Sequence, residues 1–293
     1  SKEISQIIKL FNTCSKTEIT IELNPEGITE KYLTELKFGG INRLSFGCQT
    51  FDDKILLEIG RRHKSIDVIE AINFAKICGF KNISLDLIYG LPNQTQQGFE
   101  LDLQKAIALG IRHISLYGLK IEDDCFYAAN PPKNLPDQDL QADMYLRAIE
   151  IAKNNGFEHY EISNFAQKGF ESKHNLNYWN NNTYYGFGVG AHGYENDIRY
   201  YNTNSIEEYI KNPIEYSHKL SLKEQLEEEI FLGFRKSEGI DISKINSKYN
   251  IDFNKNYKFI IDRYSDYIEK TAKGYRLNNR GFLISNIILS EFL

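Results

Sequence analysis

The chain has 293 residues, 41% of them hydrophobic, and a formal net charge of -5. That length suits one large domain plus a small one. The acidic balance excludes a global positive field for nucleic acid, and no apolar run approaches the roughly 18 residues of a membrane span.

The opening SKEISQIIKLF is too polar for a signal peptide. A cytoplasmic protein is expected, neither membrane-spanning nor bound to nucleic acid. The four cysteines, Cys14, Cys48, Cys78 and Cys125, form no C-x-x-C pair and show no metal-ligand spacing. Cys48 and Cys78 read as reduced packing residues.

A repeating unit runs from the start. TEITIELN, Thr17–Asn24, alternates and is β-branched, so it reads as a strand. A helix over Thr29–Phe38 is closed by Gly39 and Gly40. NRLSFGC, Asn42–Cys48, is the next strand. Ser65 caps IDVIEAINFAKIC, and Gly79 stops it. A third strand covers Asn82–Gly90, and a helix follows from Thr95 to Gly110. A fourth strand covers Arg112–Leu119, and a helix capped by Asp137 runs to about Asn155. HYEIS, His159–Ser163, is the fifth strand. Strand, helix, glycine, strand is the order of parallel β/α units. Five such units predict an α/β fold, a complete or partial (β/α) barrel. A doubly wound sheet is the weaker alternative, because no glycine-rich phosphate loop follows the first strand.

The pattern changes after about residue 200, which divides the chain into an expected barrel domain, 1–200, and a C-terminal domain, 201–293. SLKEQLEEEIFLGFR is an amphipathic helix from Ser221. Two further helices follow, then a hairpin and a final helix, the order of a small helical, winged-helix-like domain. From Ser221 onward there are 12 Lys and Arg against 11 Asp and Glu. That balance argues against DNA binding.

Barrel chemistry sits at the C-terminal ends of the strands. Those ends here carry Glu22 and Asn24, Gln49, Asp86, Tyr117 with Lys120, and Glu161 with Ser163 and Asn164. Asp86 stands among Ile, Leu and Tyr, where an unpartnered carboxylate costs several kcal/mol. It is either a structural salt bridge or a contact to a polar ligand, and Glu22 poses the same choice. Arg61 alone reads as a solvated arginine. The stretch ESKHNLNYWNNNTYYGFGVGAHGY, Glu171–Tyr194, crowds imidazoles, amides and rings together and holds the only tryptophan, Trp179. It has no helical or strand period before GFGVGAH and reads as a loop.

IELNPEGIT, GINRLSFGCQTFDDKILLEIGRRH, ISLDLIYGLPNQT, HISLYGL, HYEISNFA and HNLNYW, in this order, resemble the HemW family. These are radical S-adenosylmethionine (SAM) proteins, related to oxygen-independent coproporphyrinogen III oxidases and regarded as heme chaperones. The resemblance covers nearly the whole chain. It implies a partial radical-SAM barrel, with SAM, a [4Fe–4S] cluster and heme as cofactors, and a membrane-associated heme-acceptor protein as partner. The family's C-x-x-x-C-x-x-C segment precedes the point where this sequence begins. The resemblance therefore maps the cluster ligands to no residue here and assigns the cluster to a full-length form.

Residue by residue, Glu22 matches the family's carboxylate near the SAM aminoacyl end. Gln49, Arg61 and Asp86 match residues that reach a second SAM in the related oxidases, Arg61 as a fork for a carboxylate. HNLNYW resembles the H-N-x-x-Y-W motif of the HemW branch. It implies His174 as the leading heme contact, with Tyr178 and Trp179 beside it. The alternative is a lid over the barrel mouth whose imidazole ligates nothing. His192 is a second candidate, with a packing or SAM-site role as its alternative. The expected function is a heme chaperone on a radical-SAM scaffold. The alternatives are an oxygen-independent coproporphyrinogen III oxidase and an inactive truncated fragment.

Overall fold

The computed structural model describes residues 2–123 and 125–293. They form two compact units, Ser1–Glu171 and Ser172–Leu293.

The first unit runs α1 (Lys2–Ile8), β1 (Thr20–Leu23), α2 (Glu30–Phe38), β2 (Arg43–Gln49), α3 (Asp53–Glu58), α4 (Ser65–Ile77), β3 (Asn82–Tyr89) and α5 (Gln96–Ala108). It continues with β4 (His113–Gly118), α6 (Phe126–Ala129), α7 (Gln138–Asn154), β5 (Glu158–Glu161) and β6 (Asn164–Ala166). Asp137 caps its helix as the sequence predicts, and Thr29 and Thr95, read as the first residues of theirs, are caps too, each side chain accepting from a backbone N–H of the first turn. At α4 the cap is Lys64 and not Ser65, which is already helical; the Asp67 carboxylate accepts from the Lys64 N–H at 2.7 Å. Helices α4 and α5 stop where Gly79 and Gly110 take up left-handed backbone, φ 77° and 64°.

One six-stranded sheet has the order β1-β2-β3-β4-β6-β5. The first four strands are parallel. The expected fifth parallel neighbour is displaced: β6 turns back, pairs antiparallel with β4, and separates it from β5. The two short strands form one tight hairpin, where the sequence showed a single HYEIS strand.

Register explains the layers. Leu23, Phe46, Leu85, Ile114 and Phe165 are successive partners across β1, β2, β3, β4 and β6. Phe46, Leu85, Ile114 and Phe165 are at most 1% exposed. Their face packs under α4, α5 and α7, which bring buried Val68, Ile72, Phe99, Leu103, Met144 and Ala148 at helical spacing. The rows on either side point to the opposite face. They read Thr20, Arg43, Asn82; then Glu22, Ser45, Ser84, His113; then Gly47, Asp86, Ser115, Asn164. A parallel sheet normally reads as continuous apolar strands covered on both sides. Here one face is polar from edge to edge.

The second unit begins with α8 (Lys173–Trp179), β7 (His192–Glu195), β8 (Ile198–Asn202), α9 (Ile206–Lys211) and β9 (Ile214–Lys219). The three strands form an antiparallel sheet in sequence order. Then come α10 (Leu222–Gly233), β10 (Ile240–Asp241), α11 (Ile242–Tyr249), α12 (Phe253–Arg263), β11 (Ile268–Lys270), β12 (Gly274–Leu277), α13 (Asn279–Leu283) and α14 (Ser285–Ser290). Ser221 and Glu224 cap α10 reciprocally. Helices followed by the β11–β12 hairpin give the expected winged-helix-like order, with β10 added at the β12 edge. Its core is Ile230, Phe234, Phe253, Ile288, Leu289 and Phe292.

Candidate functional site

The polar face ends in a bulge. The β2–β3 register shifts between Gly47 and Gln49, and Gln49 sits at φ 68° although it is not glycine. Such backbone costs about 1–2 kcal/mol, and bulges re-aim side chains beside functional sites. Gln49 remains only 7% exposed. Its amide lies over Gly47, where an added Cβ would come within 2.9 Å of Nε2 and 3.8 Å of the Asn24 Oδ1. Arg61 reaches the same atom, NH1 donating to Asn24 Oδ1 at 3.2 Å. Gln49, Asn24 and Arg61 therefore meet at the C-terminal ends of β1 and β2.

Asp86 lies on the same face, in register with Gly47. Ser45 Oγ donates to its Oδ1 at 3.0 Å. Burial pushes the Asp86 carboxyl above the usual range, hydrogen bonds from Ser115 and Ser45 act against this, and the Glu22 charge raises it further. No salt bridge to Asp86 exists among the described residues. The sheet thus brings Glu22, Gln49, Arg61 and Asp86 to one end of one face. The site is rich in acceptors and has one exposed-side cation, so it suits a ligand bearing ammonium and hydroxyl donors together with a carboxylate.

Sequence reasoning missed a second layer. His113, fully buried, bonds Ser84 Oγ through Nδ1 at 2.7 Å and Tyr160 OH through Nε2 at 2.8 Å. Burial, and then the Arg43 charge, hold it well below the ordinary histidine range, so it stays neutral. Arg43 itself is 5% exposed and forms no ion pair among the described residues. Burial of its hydroxyl end, with Asp86, Glu161 and Glu22 acting the same way, pushes Tyr117 up to about 12. Glu161 is fully buried; it accepts from Asn164 Nδ2 and from the Ser163 N–H. The available signal was the period-two alternation of β2, β3 and β4, which places Arg43, Ser84 and His113 on the Asp86 side.

The HNLNYW stretch is no loop. It is helix α8, capped by Ser172. Residues four apart share a face and residues five apart sit about 140° around. His174 and Tyr178 accordingly touch edge-to-face, 4.6 Å between ring centroids, while Trp179 turns away from His174. Tyr178 meets Tyr184 in the same manner at 4.5 Å. Arg199 anchors the group. It donates to Tyr184 OH at 3.0 Å and Asn181 Oδ1 at 2.7 Å, lies 3.9 Å over Tyr194, and forks onto Glu228 from α10. Trp179 Nε1 is buried without an acceptor. His174 is exposed. His192 opens β7, its ring 5.4 Å from Tyr201. With His192, the eight rim and aromatic candidates divide four to the first unit and four to the second.

The cysteines stay apart: Cys48 is buried in β2, Cys78 bonds Thr34 and the Glu30 carbonyl, and Cys14 is exposed. Among the described residues no group of three or more His, Cys, Asp or Glu could hold a metal ion. These residues do not fit an iron–sulfur cluster, whereas the acceptor-rich rim fits SAM.

Comparison with known proteins defines the class first. The Radical SAM superfamily matches residues 2–106 and the HemN C-terminal domain matches residues 220–284. Coproporphyrinogen III oxidase (HemN) from Escherichia coli shares the fold, with TM-score 0.85 over 99% of this chain and 73% of that one, at 20% identity. The heme chaperone HemW of Lactococcus lactis is 40% identical, over 90% of this chain and 74% of that protein. The heme chaperone HemW of Bacillus subtilis is 36% identical over 100% and 81%. The chain belongs to the HemW family of radical SAM proteins.

Proposed function

We propose that the protein binds heme and passes it to an acceptor protein, on a scaffold whose polar sheet face holds SAM. The observation that carries this reading is the similarity to relatives named heme chaperone, 40% and 36% identical over most of the chain. The α8 cluster supports it. An exposed imidazole on a rigid aromatic base, His174 on Tyr178 on Tyr184, suits an iron-bearing flat ring that must be released again.

On the polar face, Glu22 would accept from the ammonium of SAM, and because Gln49, Arg61 and Asp86 meet at the same strand ends, they would hold the carboxylate and hydroxyl groups of that SAM or of a second one beside it. SAM supplies reductive-cleavage chemistry in this superfamily. The residues of this chain bind it, orient it and keep water from its polar ends. The heme acceptor is a membrane-associated protein and the chaperone works in the cytoplasm. No helix among the described residues is long and apolar enough to cross a membrane.

Hemin titrated into the purified protein tests this. A saturable Soret shift that His174→Ala weakens about tenfold or more is expected. No shift, or one indifferent to that substitution, removes His174 from the site and the reading with it.

A further inference from the structure

The β7–β8–β9 sheet has two faces, and α8 uses only one. Arg199 and Tyr201 point toward the α8 side, where Arg199 holds Tyr184 beneath Tyr178. Ile198, Tyr200 and Asn202 alternate to the other side. There they line a cleft of about 440 Å³ together with Glu195, Asn196, Phe187, Tyr209 and Ile214. That volume lies within the roughly 300–1,000 Å³ of small-molecule sites. Phe187 is 70% exposed and Ile214 45%, so the cleft presents apolar surface to solvent.

Close approaches fix its walls. An added Cβ at Gly193 would fall 2.0 Å from the Tyr200 ring; glycine lets that ring lie against β7. The Asn202 amide donates to the carbonyls of Gly186 and Gly188 at 3.1 and 2.9 Å, fixing the GFG loop as the facing wall. The hydrogen bonds on the two tyrosines matter most. Gly186 N–H donates to Tyr200 OH at 3.2 Å, and Gly188 N–H donates to Tyr209 OH at 2.9 Å. Each phenol oxygen serves as acceptor, and neither O–H has an acceptor among the described residues. Two hydroxyl donors thus border a largely apolar slot whose one carboxylate, Glu195, is engaged by the Tyr185 hydroxyl at 2.5 Å, which suits an apolar ligand carrying carboxylates.

We infer that this cleft is a second tetrapyrrole seat, which holds the ring by its face and its carboxylates through Tyr200 and Tyr209, with no iron ligand. It rests on the heme reading above. Because the cleft and the His174 cluster lie on opposite faces of one sheet, a single porphyrin cannot occupy both, and the seat suits a ring arriving at or leaving the iron-binding position.

Iron-free protoporphyrin IX, followed by its fluorescence, is the probe. Saturable binding to the intact chain is expected, weakened about tenfold by each of Tyr200→Phe and Tyr209→Phe. The dimethyl ester, which lacks carboxylates, should bind wild type and the double phenylalanine variant alike. Ile214→Asp, at an exposed wall position, should abolish binding while leaving the circular dichroism spectrum intact, which guards against loss of the loop in the tyrosine variants. Absence of binding, or equal binding by all variants, overturns the seat. The hemin Soret shift in the same preparation separates the failures: without it the heme reading falls, and with it only the cleft assignment falls.

Discussion

The two faces of the parallel sheet come from the same residues of the same strands, yet one is built for stability and the other against it. The Phe46–Leu85–Ile114 row is fully buried under helices. The adjacent row holds Asp86 with its carboxyl pushed up by burial, beside a bulge with Gln49 in left-handed backbone. Burial of apolar area stabilises the fold, whereas an unpaired carboxylate and a strained residue cost it. Proteins retain such costs where a ligand makes use of them.

The largest test of this contrast is Phe46→Ala. It should cost about 3–5 kcal/mol in chemical denaturation, and a loss below about 1 kcal/mol would mean that this face is not the core.

Next is acid lability of the first unit. Burial holds His159 to about 4, so at pH 5 it remains neutral when folded but takes up a proton near pH 6.5 when unfolded. Its contribution is present above that unfolded value and is lost as pH falls below it. Asp86 and Asp102, both raised by burial, act with the opposite sign. His159→Phe keeps the ring on Phe165, 4.6 Å away. It should shrink the stability loss between pH 7 and pH 5 by about 2 kcal/mol; an unchanged slope would place the titration elsewhere.

The smallest effect is expected in the second unit. Trp179→Phe removes an unpaired buried N–H along with some packing, and stability should stay within about 1 kcal/mol of wild type. A larger loss would show that Trp179 is a core residue like Phe46.

Much of this was legible in the chain. Period-two alternation gave β1, the strand–helix–glycine order gave β2 to β4, and the rim residues Glu22, Gln49 and Asp86 followed because parallel β/α units place strand ends together. Asp137 announced its helix by capping chemistry, and Thr29, Thr95 and Ser221 marked the starts of theirs, whereas Ser65, expected as a cap, is already helical. The bulge was not legible, since Gly47 is compatible with a plain strand and only pairing with β3 reveals the slip. Helix α8 was hidden by its length: seven residues hold two turns, too few for a period, although Ser172 was there as a cap. Three-residue β6 failed for the same reason. Arg199, which organises the aromatic cluster, carries no local signal because its partners lie on three separate segments.

The central claim, that the polar face is a ligand surface maintained at a cost to stability, is tested most directly by thermal unfolding of wild type and Asp86→Asn with and without SAM. The claim requires wild type to be stabilised by SAM, and the variant to melt higher than wild type in its absence and to gain nothing from its addition. A variant that melts lower and still responds to SAM would make Asp86 a structural residue and contradict the account.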